Sequence, residues 1–252
     1  MIQGMYTAAS GMLAVETRQS AIANNISNSQ TIGYKGHTPV EKGFYQVFKR
    51  EAGRPFEFNV DPAPAGGVTV TEMFTDFQEG IMRNAETPLG AALQGPGFFV
   101  IDTPYGERYT RSGDFTMDMG GRLVTRNGFP VQSETGRPLD VRGNMITISN
   151  DGTVHVDGEV RGRLRVLEFE DPQQLERKGG NLYSASEEVL EQSAAATQTE
   201  VKQHLLEMAN VNMPREMTRL MLGMRAYETN QRVIQTFDTT MGRVIEQVGM
   251  PT

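Results

Sequence analysis

Four carboxylates stand near one another in the middle of the sequence: Asp102, Glu107, Asp114 and Asp118. A pair of such groups is what glycoside hydrolysis needs, one to protonate the leaving oxygen and the other to attack or to activate water. The competing reading is plainer. These residues flank short β runs separated by Gly113 and Gly120-Gly121, where Asp ordinarily serves turns and strand faces. The three histidines, His37, His155 and His204, are scattered, with no HxxxH or HExxH spacing to hold a metal. No nucleophile elbow, phosphate-binding loop or dinucleotide fingerprint occurs. Asp151-Gly152 and Asp157-Gly158 lack the ligand spacing and closing Glu of a calcium loop. With no cysteine, disulfides, thiolate metal sites and cysteine nucleophiles are excluded. The expectation is a protein that is not an enzyme, with no catalytic residues, no cofactor and no metal.

Charge and composition narrow the partners. A formal charge of -7 without any Lys/Arg cluster argues against nucleic acid. No apolar run is long enough to cross a bilayer, so no membrane insertion is expected. The N-terminus has no basic stretch leading into an apolar one, so no cleaved Sec signal is expected; taken alone, that would suggest the cytosol. Low hydrophobic content (38%) and 27 glycines favour many turns, or segments ordered only on assembly.

Two heptad patterns frame the chain. In 1–33 the residues Met1, Met5, Ala8, Met12, Val15, Gln19, Ile22 and Ile26 alternate in steps of four and three, and helix is expected up to about Asn28. In 205–252 the same stepping joins Met217, Leu220, Met224, Tyr227, Gln231, Ile234, Asp238, Met241, Ile245 and Val248. Asn212 is placed to cap that helix, and Pro214 fits its first turn. The two seams can pair as antiparallel helices of a monomer core, or pair and also pack against further copies. Their methionines favour the second, because Met adapts to unlike surroundings. Between them, 34–88 is punctuated by Pro39, Pro55, Pro62, Pro64, Gly66, Gly67 and Pro88 and is expected to be an extended linker. From 89 to 204 a β domain is expected, its strands led by Phe98-Phe99-Val100-Ile101, with hairpin turns at Asn127-Gly128, Asp151-Gly152 and Asp157-Gly158. Its short strands suggest a small sandwich or partly closed barrel. Val201–Met208 is expected as one strand. The fold class is therefore α+β, terminal helices paired as a coiled coil around an inserted mainly-β domain.

Three blocks carry a family likeness. The first is Ala23-Asn24-Asn25-Ile26-Ser27-Asn28 with Thr31, Gly33, Tyr34 and Lys35. The second is Leu93-Gln94-Gly95-Pro96-Gly97-Phe98-Phe99-Val100 with Tyr109 through Phe115, then Asp118, Gly121, Leu123 to Thr125 and Gly128. The third is Asn210-Val211-Asn212, Glu216-Met217 and Arg225-Ala226-Tyr227-Glu228-Thr229-Asn230. In this order they resemble bacterial flagellar rod and hook subunits. Ala209 stands where that family more often has Ser, and Gly90 where Asp commonly follows Pro-Leu.

The resemblance implies a structural subunit of the basal-body rod, the axial drive shaft from motor to hook, built by self-assembly through the terminal helices. Implied partners are copies of the chain itself, other flagellar rod subunits and the flagellar export apparatus. It also implies type III export without a cleaved signal, and so a periplasmic rod rather than the cytosol. No large β insertion of the hook kind is present. A proximal rod protein is favoured over a distal one, because the 45–66 stretch is only of intermediate length. A rival of another class is a glycan-binding β module dimerised by its helices.

Overall fold

The computed structural model describes residues 2–43 and 68–249. From the N-terminus come helix α1 (Ile2–Ser27), then strands β1 (His37–Gly43), β2 (Val68–Thr75), β3 (Met82–Asn84), β4 (Ala91–Gln94), β5 (Gly97–Thr103) and β6 (Gly106–Thr110). There follow β7 (Phe115–Met117), β8 (Leu123–Thr125), β9 (Ile146–Ile148), β10 (Thr153–Val156), β11 (Glu159–Arg163) and β12 (Val166–Glu168). Last are β13 (Glu176–Gly179), β14 (Leu182–Ser184), the short helix α2 (Glu187–Glu191), β15 (Ala194–Ala195), β16 (Glu200–Gln203), β17 (Leu205–Glu207) and the long helix α3 (Met213–Gly249).

These elements form two compact units. The helical unit gathers α1, β1, β2 as far as Phe74 and the described residues from Asn212 onward; the β unit gathers Asn28–Gly36 and Thr75–Val211. The break after the first helix therefore falls at Ser27, not at the expected residue 33, and the nine residues Asn28–Gly36 go with the sheets. The expected linker over 34–88 supplies β1, β2 and β3; its part from 44 to 67 lies outside the described residues.

In the β unit, six strands make the main sheet in the order β13-β14-β6-β5-β12-β15. β5 lies near its centre, antiparallel to both β6 and β12. Its apolar run does not alternate because both faces are covered. Phe99 and Ile101 join one core with Phe115, Leu123, Val131 and Val201. Phe98 and Val100 join a second with Tyr109, Phe169, Tyr183 and Val189. Edge-to-face ring contacts knit each core: Phe99 to Phe115 at 4.9 Å, and Phe98 to Phe169 at 5.7 Å between centroids. Smaller sheets complete the unit, including the three-stranded β11-β10-β9.

Turn chemistry follows the sequence closely. Asp157 and Gly158 both take positive φ, the two-residue turn that the twist of a hairpin requires, and they join β10 to β11. Asn127-Gly128 and Asp151-Gly152 also close turns, with Gly128 and Gly152 donating back to Thr125 and Ser149. One expectation fails here: Val201–Met208 is two strands. His204 takes φ +62, which breaks the run, so that β16 pairs with β4 and β17 with β3.

In the helical unit α1 and α3 run antiparallel. A Cβ built on Gly4 would lie 3.1 Å from Phe237, on Gly11 3.4 Å from Asn230, and on Gly223 3.4 Å from Gln19. Glycine inside a helix costs about 1 kcal/mol relative to alanine; here it lets the two helices approach closely. The row of α3 that is withdrawn from solvent is Glu216, Leu220, Gly223, Tyr227, Asn230, Ile234, Phe237 and Met241. It shares Leu220, Tyr227, Ile234 and Met241 with the expected seam but leaves Met217 and Met224 about half exposed. On α1, Val15 and Ile22 are buried, Met12 and Ile26 half-buried, and Met5 lies at 38% exposure. The side chains of Ile245 and Val248 lie outside the described residues. Asn212 caps α3 as expected, its Oδ1 accepting from the Arg215 N–H at 3.0 Å.

Phe99→Ala should lower the stability of the β unit by about 3–5 kcal/mol, since it empties a site with no exposure at all. Met119→Ser, at a fully exposed loop tip, should change it by less than about 0.5 kcal/mol. Urea midpoints of the two variants make the comparison.

Candidate functional site

The carboxylates that could have made a hydrolytic pair are held by arginine or set in the open. Glu107 meets Arg165 at 2.8 Å, and Asp114 meets Arg126 at 3.4 Å. Asp118 accepts from the backbone N–H and side chain of Arg122, which hold its carboxyl below the usual range. Asp102 is exposed on β5 opposite Glu107. General-acid work needs a carboxyl raised above its ordinary value, and Asp118 is moved the other way. His37, His155 and His204 lie on β1, on β10 and between β16 and β17. Among the described residues no group of three or more His, Asp or Glu is placed to hold a metal ion, and no helix is long and apolar enough to cross a membrane. Asp151 and Asp157 serve turns: Asp151 bonds Thr153, and Asp157 accepts from the Asn144 and Met145 N–H groups.

The convergence of polar groups lies elsewhere, where Asn28–Gly36 docks in the β unit. Lys35 and Glu207, both fully buried, meet at 2.6 Å. The Lys35 ammonium also donates to the Gln78 carbonyl at 2.6 Å. Glu207 accepts from the Gly80 N–H at 2.9 Å, and its backbone carbonyl accepts from Gly33 at 2.7 Å. Arg111, 2% exposed, lies 3.9 Å from the Glu207 carboxylate, donates to the Gly95 carbonyl and stacks on Phe98 with its guanidinium 4.7 Å from the ring centroid. Burial lowers the pKa of both cations, and Glu207 opposes that in each.

Asn210 tightens the same knot. Its Oδ1 accepts from the Gly36 N–H, and its Nδ2 donates to the carbonyls of Asp76 and Gln78. From the other side the Asn181 Nδ2 donates to the Ile32 carbonyl, and Arg177 lies 4.5 Å above the buried Tyr34 ring. Gly33, at φ +69, has no room for a side chain: a Cβ would come within 2.4 Å of the Ser112 nitrogen.

The residues singled out from the sequence divide between this knot and the helices. Asn25, buried at the end of α1, pairs both amide atoms with the backbone of His37, donating to its carbonyl at 2.8 Å and accepting from its N–H at 3.1 Å. Asn28 closes a turn with Thr31, and Asn24 is exposed. Gly97, Phe98 and Phe99 belong to β5, where a Cβ on Gly97 would meet Val166 and Thr199. Arg225, Ala226 and Glu228 are exposed on α3, beside half-buried Tyr227. Glu207 was not singled out. The available sign was a lone acid inside the apolar run Leu205 to Met208.

The terminal helices pair with each other, and within the β unit buried charge ties separate chain segments together. The comparisons with known proteins supply the class. Residues 5–35 match the family described as flagella basal body rod protein, 92–156 the flagellar hook protein FlgE/F/G D1 domain, and 202–247 the flagellar basal body rod FlgEFG protein C-terminal. The chain is 32% identical to the flagellar basal-body rod protein FlgG of Borreliella burgdorferi, covering 96% of this chain and 97% of that one. It is also 32% identical to FlgG of Caulobacter vibrioides (94% and 96%) and 29% identical to the rod protein FlgF of Rhizobium meliloti (99% of each). The chain belongs to the flagellar basal-body rod protein family.

One buried group makes the polar centre sensitive to alkali. The Tyr183 hydroxyl has no hydrogen-bond partner among the described residues, and burial pushes its pKa up to about 12. The unfolded chain releases that proton near 10, so between about pH 10 and 12 the unfolded state binds fewer protons. Folding stability should therefore fall as pH rises through this window, by about 3 kcal/mol from this group. Tyr183→Phe should leave stability at neutral pH unchanged or slightly raised and remove that part of the alkaline slope, as measured by urea titrations at stepped pH.

Proposed function

We propose that this rod-family chain is an axial subunit that assembles with copies of itself and other rod subunits through its terminal helices, forming the drive shaft that carries torque from motor to hook. The observation that carries this reading is the apolar surface left on the paired helices. Leu13 on α1 is 65% exposed, and Met221, Leu222 and Met224 on α3 are each at least half exposed. Met217, Met221 and Met224, at steps of four and three, share one face of α3, and apolar side chains grouped on a face in this way mark an interaction surface. Methionine suits contacts that are only quasi-equivalent. A contact of this type whose rotation does not close generates a helical tube rather than a ring. Within the assembly the helix pair acts as a coiled coil, and the seam residues from Met5 to Ile26 and from Met217 to Val248 share the packing between subunits.

The 45–66 stretch, of intermediate length, favours the proximal part of the shaft over the distal part. The expected address is the periplasmic rod, reached through the flagellar export apparatus without a cleaved signal. The bulky seam at each end would then be held unfolded until delivery, because an isolated helix gains most of its stability from tertiary packing.

Two substitutions separate packing within a subunit from packing between subunits. Val15→Asp charges a buried position of the α1–α3 pair and should unfold the pair itself. Met221→Asp charges an exposed position and should leave the monomer's helicity unchanged while abolishing assembly, with motility lost in a strain carrying it. Sedimentation of the purified chains reads the outcome. Polymer of normal length from Met221→Asp would refute the assignment, and a discrete dimer retained on peptidoglycan would point to glycan binding instead.

A further inference from the structure

The charged knot of the β unit has an asymmetry in the order of the chain. Its two cations, Lys35 and Arg111, come early; the carboxylate that faces both, Glu207, comes near the end of the unit. Lys35 and Glu207 are 172 residues apart in sequence. All three side chains are buried, at 0, 2 and 0% exposure. Two other carboxylates act on the cations from farther away, Asp76 on Lys35 and Glu79 on Arg111, and both are partly open to solvent.

Glu207 is also more than a counter-ion. Its carboxylate accepts from Gly80 and Lys35, and its backbone carbonyl accepts from Gly33. A Cβ on Gly80 would lie 1.9 Å from the Met208 carbonyl oxygen, so the strand that carries Glu207 presses directly on the Gly80 backbone. Three separate stretches, 33–36, 78–80 and 207–210, are joined at this one residue and at Asn210 beside it. Closing the β unit without Glu207 would bury two cations with no buried acid between them. Removing one partner from a buried ion pair is strongly unfavourable, whereas replacing all members by apolar groups is often neutral.

We propose that Glu207 is an electrostatic key for folding: the β unit closes only when residue 207 docks, because Lys35 and Arg111 keep the unfinished unit open. As the chain is made from its N-terminus, the sheet built on β5 and β6 therefore waits for the last strand of the unit, β17. The apolar cores supply the drive to close, and the two cations set the moment.

The test is the dependence of one substitution on another, in the full-length chain. Glu207→Ala is made in the native background and in Lys35→Met/Arg111→Met, and folding is followed by circular dichroism in urea. In the native background Glu207→Ala should abolish the cooperative transition of the β unit or shift its midpoint far down. In the double-Met background the same substitution should cause less than a quarter of that shift. Equal losses in both backgrounds would overturn the proposal and leave Glu207 a packing residue of β17. Should the double-Met chain fail to fold, pulse-labelled hydrogen exchange during refolding of the native chain decides. The amides of Val100 on β5 and Tyr109 on β6 should gain protection in the same phase as those of Gly33, Gly80 and Met208. Protection of β5 and β6 in an earlier phase would refute the key.

Discussion

The β unit depends on a buried ion pair between Lys35 and Glu207. Neither side chain reaches solvent, so each is tolerable only because the other is there. Around that pair the backbone closes in: Gly80, Gly95 and Gln78 supply a donor or acceptor to the three charges, and Gly33 donates to the Glu207 main-chain carbonyl. The consequence reaches past local stability. Residues 28–36 follow directly on α1, and residues 207–211 run directly into α3. The ion pair therefore fixes, within one unit, the two places where the chain passes into its terminal helices.

The helical unit is governed by a different constraint, the space between two backbones. Gly4, Gly11 and Gly223 sit where α1 and α3 come closest, opposite Phe237, Asn230 and Gln19. The fit is tightest at Gly4, where a Cβ would press on the Phe237 ring at 3.1 Å, and Ala8, Ala14 and Ala21 are buried in the same unit. Met217, Met221 and Met224 are displaced from that row to the flank of α3. That displacement is what leaves apolar side chains in the open on α3, and the proposed packing against further subunits draws on it. Threonines of α3 such as Thr218, Thr229 and Thr236 bond the carbonyl four residues back, so the polar face satisfies its hydroxyls within the helix.

Much of the fold was legible because it is written in local terms. The caps and turns follow from residue type: Asn212 at the start of α3, and the Asp157-Gly158 hairpin. The strand Phe98–Ile101 is visible as an apolar run, and the two long helices as repeating steps of three and four. Heptad stepping selects Met217 and Met224 because they are large and apolar; they lie outside the row that closes on α1, which runs through Glu216, Gly223 and Asn230, residues no apolar pattern would select. His204 hid a strand break for a similar reason, since nothing in its type announces a positive φ. Glu207 is the sharpest case. An acid in a strand reads as a solvent-facing residue until the cations that bury it are known.

The amino-acid sequence by itself determined the order of elements, the helix caps, the tight turns, the lack of any cysteine chemistry and, through three blocks of residues, the likeness to rod and hook subunits. These are properties of neighbours along the chain, where propensity and hydrogen bonding act over a few residues. Only the tertiary structure decided which face of each helix meets the other, that residues 28–36 belong with the sheets, and that Lys35, Arg111 and Glu207 share one buried centre. Those depend on distances between residues far apart in sequence, and a buried charge acquires its meaning only from the partner that the fold brings to it.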